Sequence, residues 1–206
     1  MKEFWDERYG AEEWAYGKEA NEFLKGSISN LTPGTALFPA EGEGRNAVYA
    51  ASLGWEVSAF DQSVNGRKKA LELAIEKKVR LDYQVANFDE IDYPDNYFDL
   101  IVLIFVHFPP AVRPKYHEKL LHYLKPGGKI ILEGFSKKHL EYSKANPKAG
   151  GPPNIDFLFS IEEMKSDFQD LDIQVLEEIE VEMNEGLYHV GKSSVIRLIG
   201  TKKEIR

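Results

Sequence analysis

The chain contains no cysteine, which excludes disulfides, thiolate zinc sites, thiolate nucleophiles and iron–sulfur ligation. It also lacks any apolar run approaching the ~18 residues of a membrane helix. The opening Met1-Lys2-Glu3-Phe4-Trp5-Asp6-Glu7 has no apolar centre of the kind a signal peptide needs, so a cytoplasmic protein without a membrane partner is expected. Basic charge is scarce too: 26 Lys and Arg stand against 34 Asp and Glu, a net charge of −8, which argues against nucleic acid as the main partner. The five histidines show no metal-ligand spacing, and no repeat or low-complexity tract interrupts the sequence. What is present, 206 residues with 43% hydrophobic content, suits one globular domain over 1–206. Nothing in it reports the oligomeric state.

Hydrophobic periodicity divides the chain. Lys2 to Tyr9 and Lys18 to Ser27 read as short amphipathic segments before a Leu31-Thr32-Pro33-Gly34 turn. Strand and helix then alternate. Thr35 to Ala40 and Trp55 to Phe60 read as strands around a helix from Asn46 to Leu53, and Ser63 is placed to cap a helix carrying Ala70, Leu71, Ala74 and Ile75. Leu81, Tyr83 and Val85 alternate as a third strand. Leu100 to Val106 is an unbroken apolar run, the mark of a central parallel strand covered on both faces. Pro114 opens a helix, and Pro126-Gly127-Gly128 turns it into a strand from Lys129 to Phe135. Residues 136–159 have little periodicity and read as an insertion over the carboxyl edge of the sheet. Ser160-Ile161-Glu162-Glu163 is a capping box. Ile173 to Met183 and Ser194 to Gly200 close the chain as two strands without an intervening helix, which must pair antiparallel. The expected fold is α/β, a doubly wound, mostly parallel seven-stranded sheet ending in an antiparallel pair.

The chemistry concentrates at Gly42-Glu43-Gly44-Arg45-Asn46-Ala47, a glycine turn between the first strand and its helix, with Asp61 at the end of the second strand. Small residues let backbone approach a ligand, and a carboxylate so placed accepts from ribose hydroxyls. These residues alone fit a nicotinamide dinucleotide as well as any other nucleoside cofactor.

The run Ala36 to Asn46, the strand Phe98-Asp99-Leu100-Ile101-Val102, the turn Leu124 to Gly128 and the terminal strand reversal together resemble a class I S-adenosylmethionine-dependent methyltransferase. The Gly-Arg-Asn form and the early Phe4-Trp5-x3-Tyr9 are most similar to the tellurite-resistance and thiopurine methyltransferase branch. The chain departs from that pattern at Phe38, where an acidic residue is usual, and at Ala40, where glycine is usual. The resemblance implies S-adenosyl-L-methionine as cofactor and S-adenosyl-L-homocysteine as product. Glu41, Gly42, Gly44 and Asn46 would form the methionine and ribose cradle, and Asp61 would hold the ribose hydroxyls. Gln62, Asn87 and Phe88 would border the adenine, and Phe105 with Val106 would lie under the sulfonium. The segment 1–34 would cover the cofactor through Trp5, Tyr9 and Tyr16. Residues 136–159 would serve the acceptor side, with Tyr142 and Phe157 lining it.

Two histidines are candidates for acceptor chemistry. His107 ends the central strand, and His189 lies in the connection between the last two strands, where the resemblance implies an acceptor-side histidine. The expected activity is methyl transfer to a small molecule, a thiol, chalcogen or heterocycle, and a base is needed only if the acceptor is protonated. A catalytically silent module binding S-adenosylmethionine or S-adenosylhomocysteine, and an NAD-dependent oxidoreductase, are the alternatives.

Overall fold

The computed structural model describes residues 2–204. Two helices come first, α1 (Lys2–Gly10) and α2 (Glu22–Ile28), followed by β1 (Thr35–Pro39), α3 (Arg45–Ser52), β2 (Glu56–Asp61), α4 (Val64–Lys77), β3 (Asp82–Val85) and β4 (Phe98–Ile104). The remainder comprises α5 (Arg113–Tyr123), β5 (Leu124–Phe135), α6 (His139–Ala145), α7 (Ile161–Asp167), β6 (Leu171–Glu185) and β7 (His189–Lys202). The seven strands lie in the order β3-β2-β1-β4-β5-β7-β6. The first five are parallel to one another, and β7 inserts antiparallel between β5 and β6. Its direction follows from the short connection after β6, which leaves no length for a crossover.

β4 shows why the sheet is buried on both faces. Ile101 and Leu103 enter one core with α5 and α7, through Leu120, Met164 and Phe168. Leu100 and Val102 enter the other with α2 and α3, through Leu24, Ala47 and Ala50. Local signals fix the helix starts. Ser63 Oγ accepts from Gly66 N at 2.9 Å. Ser160 and Glu163 exchange the two bonds of a capping box.

Several element ends differ from the sequence reading, and β5 begins at Leu124, five residues before Lys129, so that Pro126-Gly127-Gly128 lies within the strand. β4 spans Phe98–Ile104 and stops before Phe105, whose φ of 55° leaves the extended region. The second amphipathic segment becomes helical only at Glu22, because Asn21 caps it by accepting from Leu24 N. Residues 136–159 contain α6 and two 3-10 turns, Pro147–Ala149 and Ile155–Phe157. β6 and β7 reach Glu185 and His189, well past the apolar residues that signalled them.

Candidate functional site

The carboxyl ends of β1, β2, β4 and β5 meet the β6–β7 hairpin and the amino-terminal segment at one edge of the sheet. After β1 the backbone turns sharply, with φ of 48° at Ala40, 60° at Gly42 and 84° at Gly44. A Cβ on Gly44 would lie 2.4 Å from Ala70 Cβ, so α4 packs directly on the turn. A Cβ on Gly42 would meet the Tyr9 hydroxyl at 2.6 Å. Glu41 folds back over α3, where its Oε1 accepts from Asn46 N at 2.9 Å and Ala47 N at 2.7 Å. The helix start that would otherwise hold an anion is thus occupied by the chain's own carboxylate.

Asp61 closes the turn from β2. Its Oδ2 accepts from Gly42 N at 3.1 Å and its Oδ1 from Ser63 N at 2.8 Å. Burial pushes Glu41 up to about 7 and Asp61 up to about 6, against the opposing backbone hydrogen bonds. Among the described residues neither carboxylate makes an ion pair. Glu43 points away from them, pairing with Lys69 at 2.8 Å.

The amino-terminal segment is fastened to this turn. Asp6 Oδ1 accepts from Ser63 Oγ at 2.7 Å and Asn65 N at 3.0 Å, which docks α1 on the start of α4. Tyr9 wedges between Gly42 and Gly66, and Trp5 stacks on Tyr9 with centroids 5.6 Å apart. Asn46 Oδ1 accepts from Asn21 N at 2.9 Å, so its side-chain oxygen holds the chain ahead of α2.

Beyond Asp61, Gln62 is half-buried and Asn87 exposed at the end of β3. Asn87 Nδ2 donates to Glu90 at 3.2 Å. Phe88 stacks on Tyr116 at 4.2 Å and meets Phe108 edge-on at 5.0 Å, inside an aromatic cluster on the α5 side.

The hairpin side differs in kind. Phe105 packs on Phe135 at 4.6 Å and edge-on against His189 at 4.5 Å. His107 Nδ1 donates to the Phe157 carbonyl at 2.9 Å, and its Nε2 accepts from Phe135 N at 3.1 Å. Both ring nitrogens of His107 are therefore committed to backbone, and the ring bridges the end of β5 to residues 136–159. Burial lowers it to about 4. His189 Nδ1 donates to Glu185 at 3.2 Å, and Glu185 receives Arg45 Nη2 at 2.7 Å and Asn21 Nδ2 at 3.1 Å. Burial would raise Glu185, but the bond from His189 and the Arg45 charge outweigh it and hold it at about 2. Asn21 Nδ2 also reaches Glu133 at 2.7 Å, and Glu133 pairs with Arg197 at 2.6 Å. Asn21, Arg45, Glu133, Glu185 and Arg197 line a cavity of about 380 Å³ between residues 16–23 and β6, and His189 lies outside its lining.

Of the residues expected at the site, Glu41, Gly42, Gly44 and Asp61 come together at the turn, and Phe105, His107 and His189 gather near the end of β5. Tyr142 bonds Glu180 on β6, and Phe157 contributes its carbonyl to His107. Glu185, Arg45 and Asn21 went unrecognised from sequence. The one local signal was the four-residue spacing of Glu185 and His189, which means contact only once a hairpin is known. Among the described residues no group of three His, Asp or Glu side chains is placed to hold a metal.

Residues 39–128 match a methyltransferase domain family. The chain is similar to phosphoethanolamine N-methyltransferase 3 of Arabidopsis thaliana, 30% identical over 120 residues, which is 56% of this chain and 21% of that protein. It is also similar to the ubiquinone/menaquinone biosynthesis C-methyltransferase UbiE of Vibrio cholerae, 36% identical over 76 residues, covering 37% of this chain and 28% of the relative. The chain thus spans well under half the length of the curated relatives it matches. Among solved structures, TehB from Haemophilus influenzae aligns with a TM-score of 0.72 at 16% identity, over 98% of this chain and 67% of that one. A structure reported for conversion of a disulfide bond into a thioacetal group during echinomycin biosynthesis aligns with a TM-score of 0.77 at 16% identity, over 98% and 92% of the two chains. At these identities the structural likeness speaks to the fold.

Proposed function

We propose that the chain, whose residues 39–128 match a methyltransferase domain family, is a class I S-adenosylmethionine-dependent methyltransferase that transfers a methyl group to a small-molecule acceptor, a thiol, chalcogen or heterocycle. The observation that carries this reading is the pair Glu41 and Asp61, two carboxylates at the glycine turn without a protein cation. Asp61 is buried and Glu41 half-buried, and carboxylates in that condition favour a ligand that brings positive charge and hydroxyl donors. Each Asp61 oxygen accepts one backbone N–H and keeps a lone pair for a ribose hydroxyl. A dinucleotide is disfavoured, because its pyrophosphate would compete with Glu41 for the start of α3.

When bound, S-adenosylmethionine supplies an electrophilic methyl group on a sulfonium. The protein's part is positioning, since near-attack geometry accounts for much of the rate of an in-line displacement. Asp61 and the Gly42 turn hold the nucleoside, with Gln62 and Phe88 bordering the base. Tyr9 and Trp5, held by the Asp6 clamp, keep water from the turn.

The relatives' names speak of an amine in one case and a carbon acceptor in another, so they leave the acceptor open. Calorimetry on the full chain tests the reading: S-adenosylmethionine and S-adenosylhomocysteine bind and NAD does not. Asp61→Ala weakens S-adenosylmethionine by ~1–3 kcal/mol, because it strands hydroxyls that need a partner. Binding of NAD alone, or an unchanged affinity in that variant, overturns it. Binding without turnover on any acceptor would instead favour a silent binding module.

A further inference from the structure

We propose that the cavity between residues 16–23 and β6 is a second binding site, separate from the glycine turn. It takes a compact amino carboxylate with an apolar body, the carboxylate on Arg197 and the ammonium at the rim. This site does not depend on the methyl-transfer reading, and Glu41, Gly42 and Asp61 lie outside its lining.

At the floor of the cavity, Arg197 Nε donates to Glu133 Oε2 at 2.6 Å. Among the described residues the two Nη groups of Arg197 have no hydrogen-bond partner, and they are not sealed in the core as Arg113 Nη1 is. The guanidinium lies over the Phe23 ring, with Cζ 4.6 Å from the centroid, which fixes its plane. Held at Nε and across one face, it keeps its Nη edge as a rigid fork of N–H donors, the shape that meets a carboxylate with two parallel bonds. The other floor groups are spent on one another. Arg45 Nη2 donates to Glu185 and its Nη1 to the Glu19 carbonyl, while Asn21 Nδ2 serves Glu133 and Glu185.

The rim has the opposite character. Glu19, Glu22 and Glu182 line it and are exposed. Over the whole lining, three basic side chains stand against five acidic ones. Lys18 is drawn away to Glu76 on α4 at 2.6 Å, so it does not offset the surplus. A dianion such as phosphate meets that excess negative charge on its way to Arg197. A zwitterion does not, because its ammonium rests among the rim carboxylates while its carboxylate reaches the fork.

The walls between floor and rim are apolar. Phe23 faces Val181 and Met183, which alternate along β6 and so share one face. A volume of about 380 Å³ is at the small end of the range that holds small molecules. Size, walls and charge together describe a molecule of amino-acid dimensions.

NMR of the full chain labelled at the methionine methyl carbons reads the site directly. Met183 lines the cavity, whereas Met164 belongs to the core on the other face of the sheet. The probes are leucine and 6-aminohexanoate, with hexanoate, hexylamine and inorganic phosphate as controls. At least one of the two amino carboxylates is expected to shift the Met183 signal and leave Met164 in place, with a dissociation constant at or below about 1 mM. Hexanoate and hexylamine should bind at least about tenfold more weakly, since each lacks one of the two charges. Arg197→Met keeps a stem against Phe23 and removes the fork, which should weaken the amino carboxylate by about tenfold or more. That substitution also leaves Glu133 without its cation, so Val181→Trp provides a second test: it fills the cavity from the edge strand with the floor intact and should abolish the shift. No Met183 shift with either amino carboxylate, equal binding of hexanoate or hexylamine, or unchanged affinity in both variants overturns the proposal. Competition by S-adenosylmethionine also overturns it, because the cavity would then be part of the cofactor site. Failure of S-adenosylmethionine to bind would defeat the methyl-transfer reading and leave this site standing.

Discussion

The glycine turn and the β6–β7 hairpin face each other across one edge of the sheet and handle buried charge in opposite ways. At the turn, Glu41 and Asp61 accept only backbone N–H groups, and burial pushes both upward. At the hairpin, Glu185 and Glu133 are met by Arg45 and Arg197, and Asn21 joins the two carboxylates. One side is electrostatically unfinished without a ligand, whereas the other is neutral by itself. Under the proposed function, the unfinished side suits a cationic donor and the neutral side an uncharged acceptor.

The strongest way to break this contrast is to remove one carboxylate from each side. Glu185→Ala leaves Arg45 without its partner and frees the His189 ring, which costs roughly 3 kcal/mol because a mostly buried charge is stranded. Glu41→Gln keeps the Oε1 acceptor for Asn46 and Ala47 and loses only the costly charge. The ligand-free variant should gain ~1–2 kcal/mol at pH 8, after allowing for partial exposure, while binding S-adenosylmethionine more weakly. Urea denaturation of both variants measures the pair. Equal losses would show that the turn carboxylate is as well compensated as the hairpin one.

A smaller effect sharpens the same contrast through pH. The turn carboxyls are raised, so the stability they contribute is complete below their ordinary range and is lost as pH rises through about 6 and about 7. His107 and His189 are lowered to about 4, so theirs is complete above about 6.5 and is lost as pH falls toward 4. The two regions therefore oppose each other across the mildly acidic range. Glu41→Gln removes one of the opposing groups. Its stability should rise from pH 5 to pH 7 more steeply than that of the wild type, by on the order of 1 kcal/mol. Denaturation midpoints at the two pH values check this, and parallel profiles would defeat it.

How much was legible in the sequence follows the same division. The turn is local: its glycines, the Ser63 cap and Asp61 fall within about twenty consecutive residues, and the alternation of strand and helix places them at one sheet edge. The hairpin network is not local. Glu185 acquires meaning only when β6 runs on through Asn184, and the residues from Lys192 back to Gly186 carry too little period-two hydrophobicity to announce strand. Asn46 follows the glycines, and the bond its oxygen accepts from Asn21 N joins residues 25 apart in sequence, which no local pattern reveals. α6 stayed hidden because its seven residues bury just one side chain completely enough to leave a stripe, His139. Phe105 was read into β4 because the apolar run does not reveal a left-handed φ.

That left-handed backbone supplies the finest test, since each region has one such residue. Ala40 at the turn has φ 48° and Phe105 beside the hairpin has φ 55°. An L-residue there pays roughly 1–2 kcal/mol for the clash of Cβ with the carbonyl oxygen. Glycine escapes that cost but gives up about 0.4–1 kcal/mol to the freer unfolded chain. Ala40 is exposed and brings only a methyl group, so Ala40→Gly should gain about 0.5 kcal/mol with S-adenosylmethionine affinity unchanged. Phe105 offers no such gain, because its ring packs on Phe135 and His189 and glycine would give those contacts up. Denaturation of Ala40→Gly decides the point at the turn. A loss of stability there would mean that alanine holds the turn in a shape glycine lets go, and that the unfinished charge of Glu41 and Asp61 depends on that stiffness.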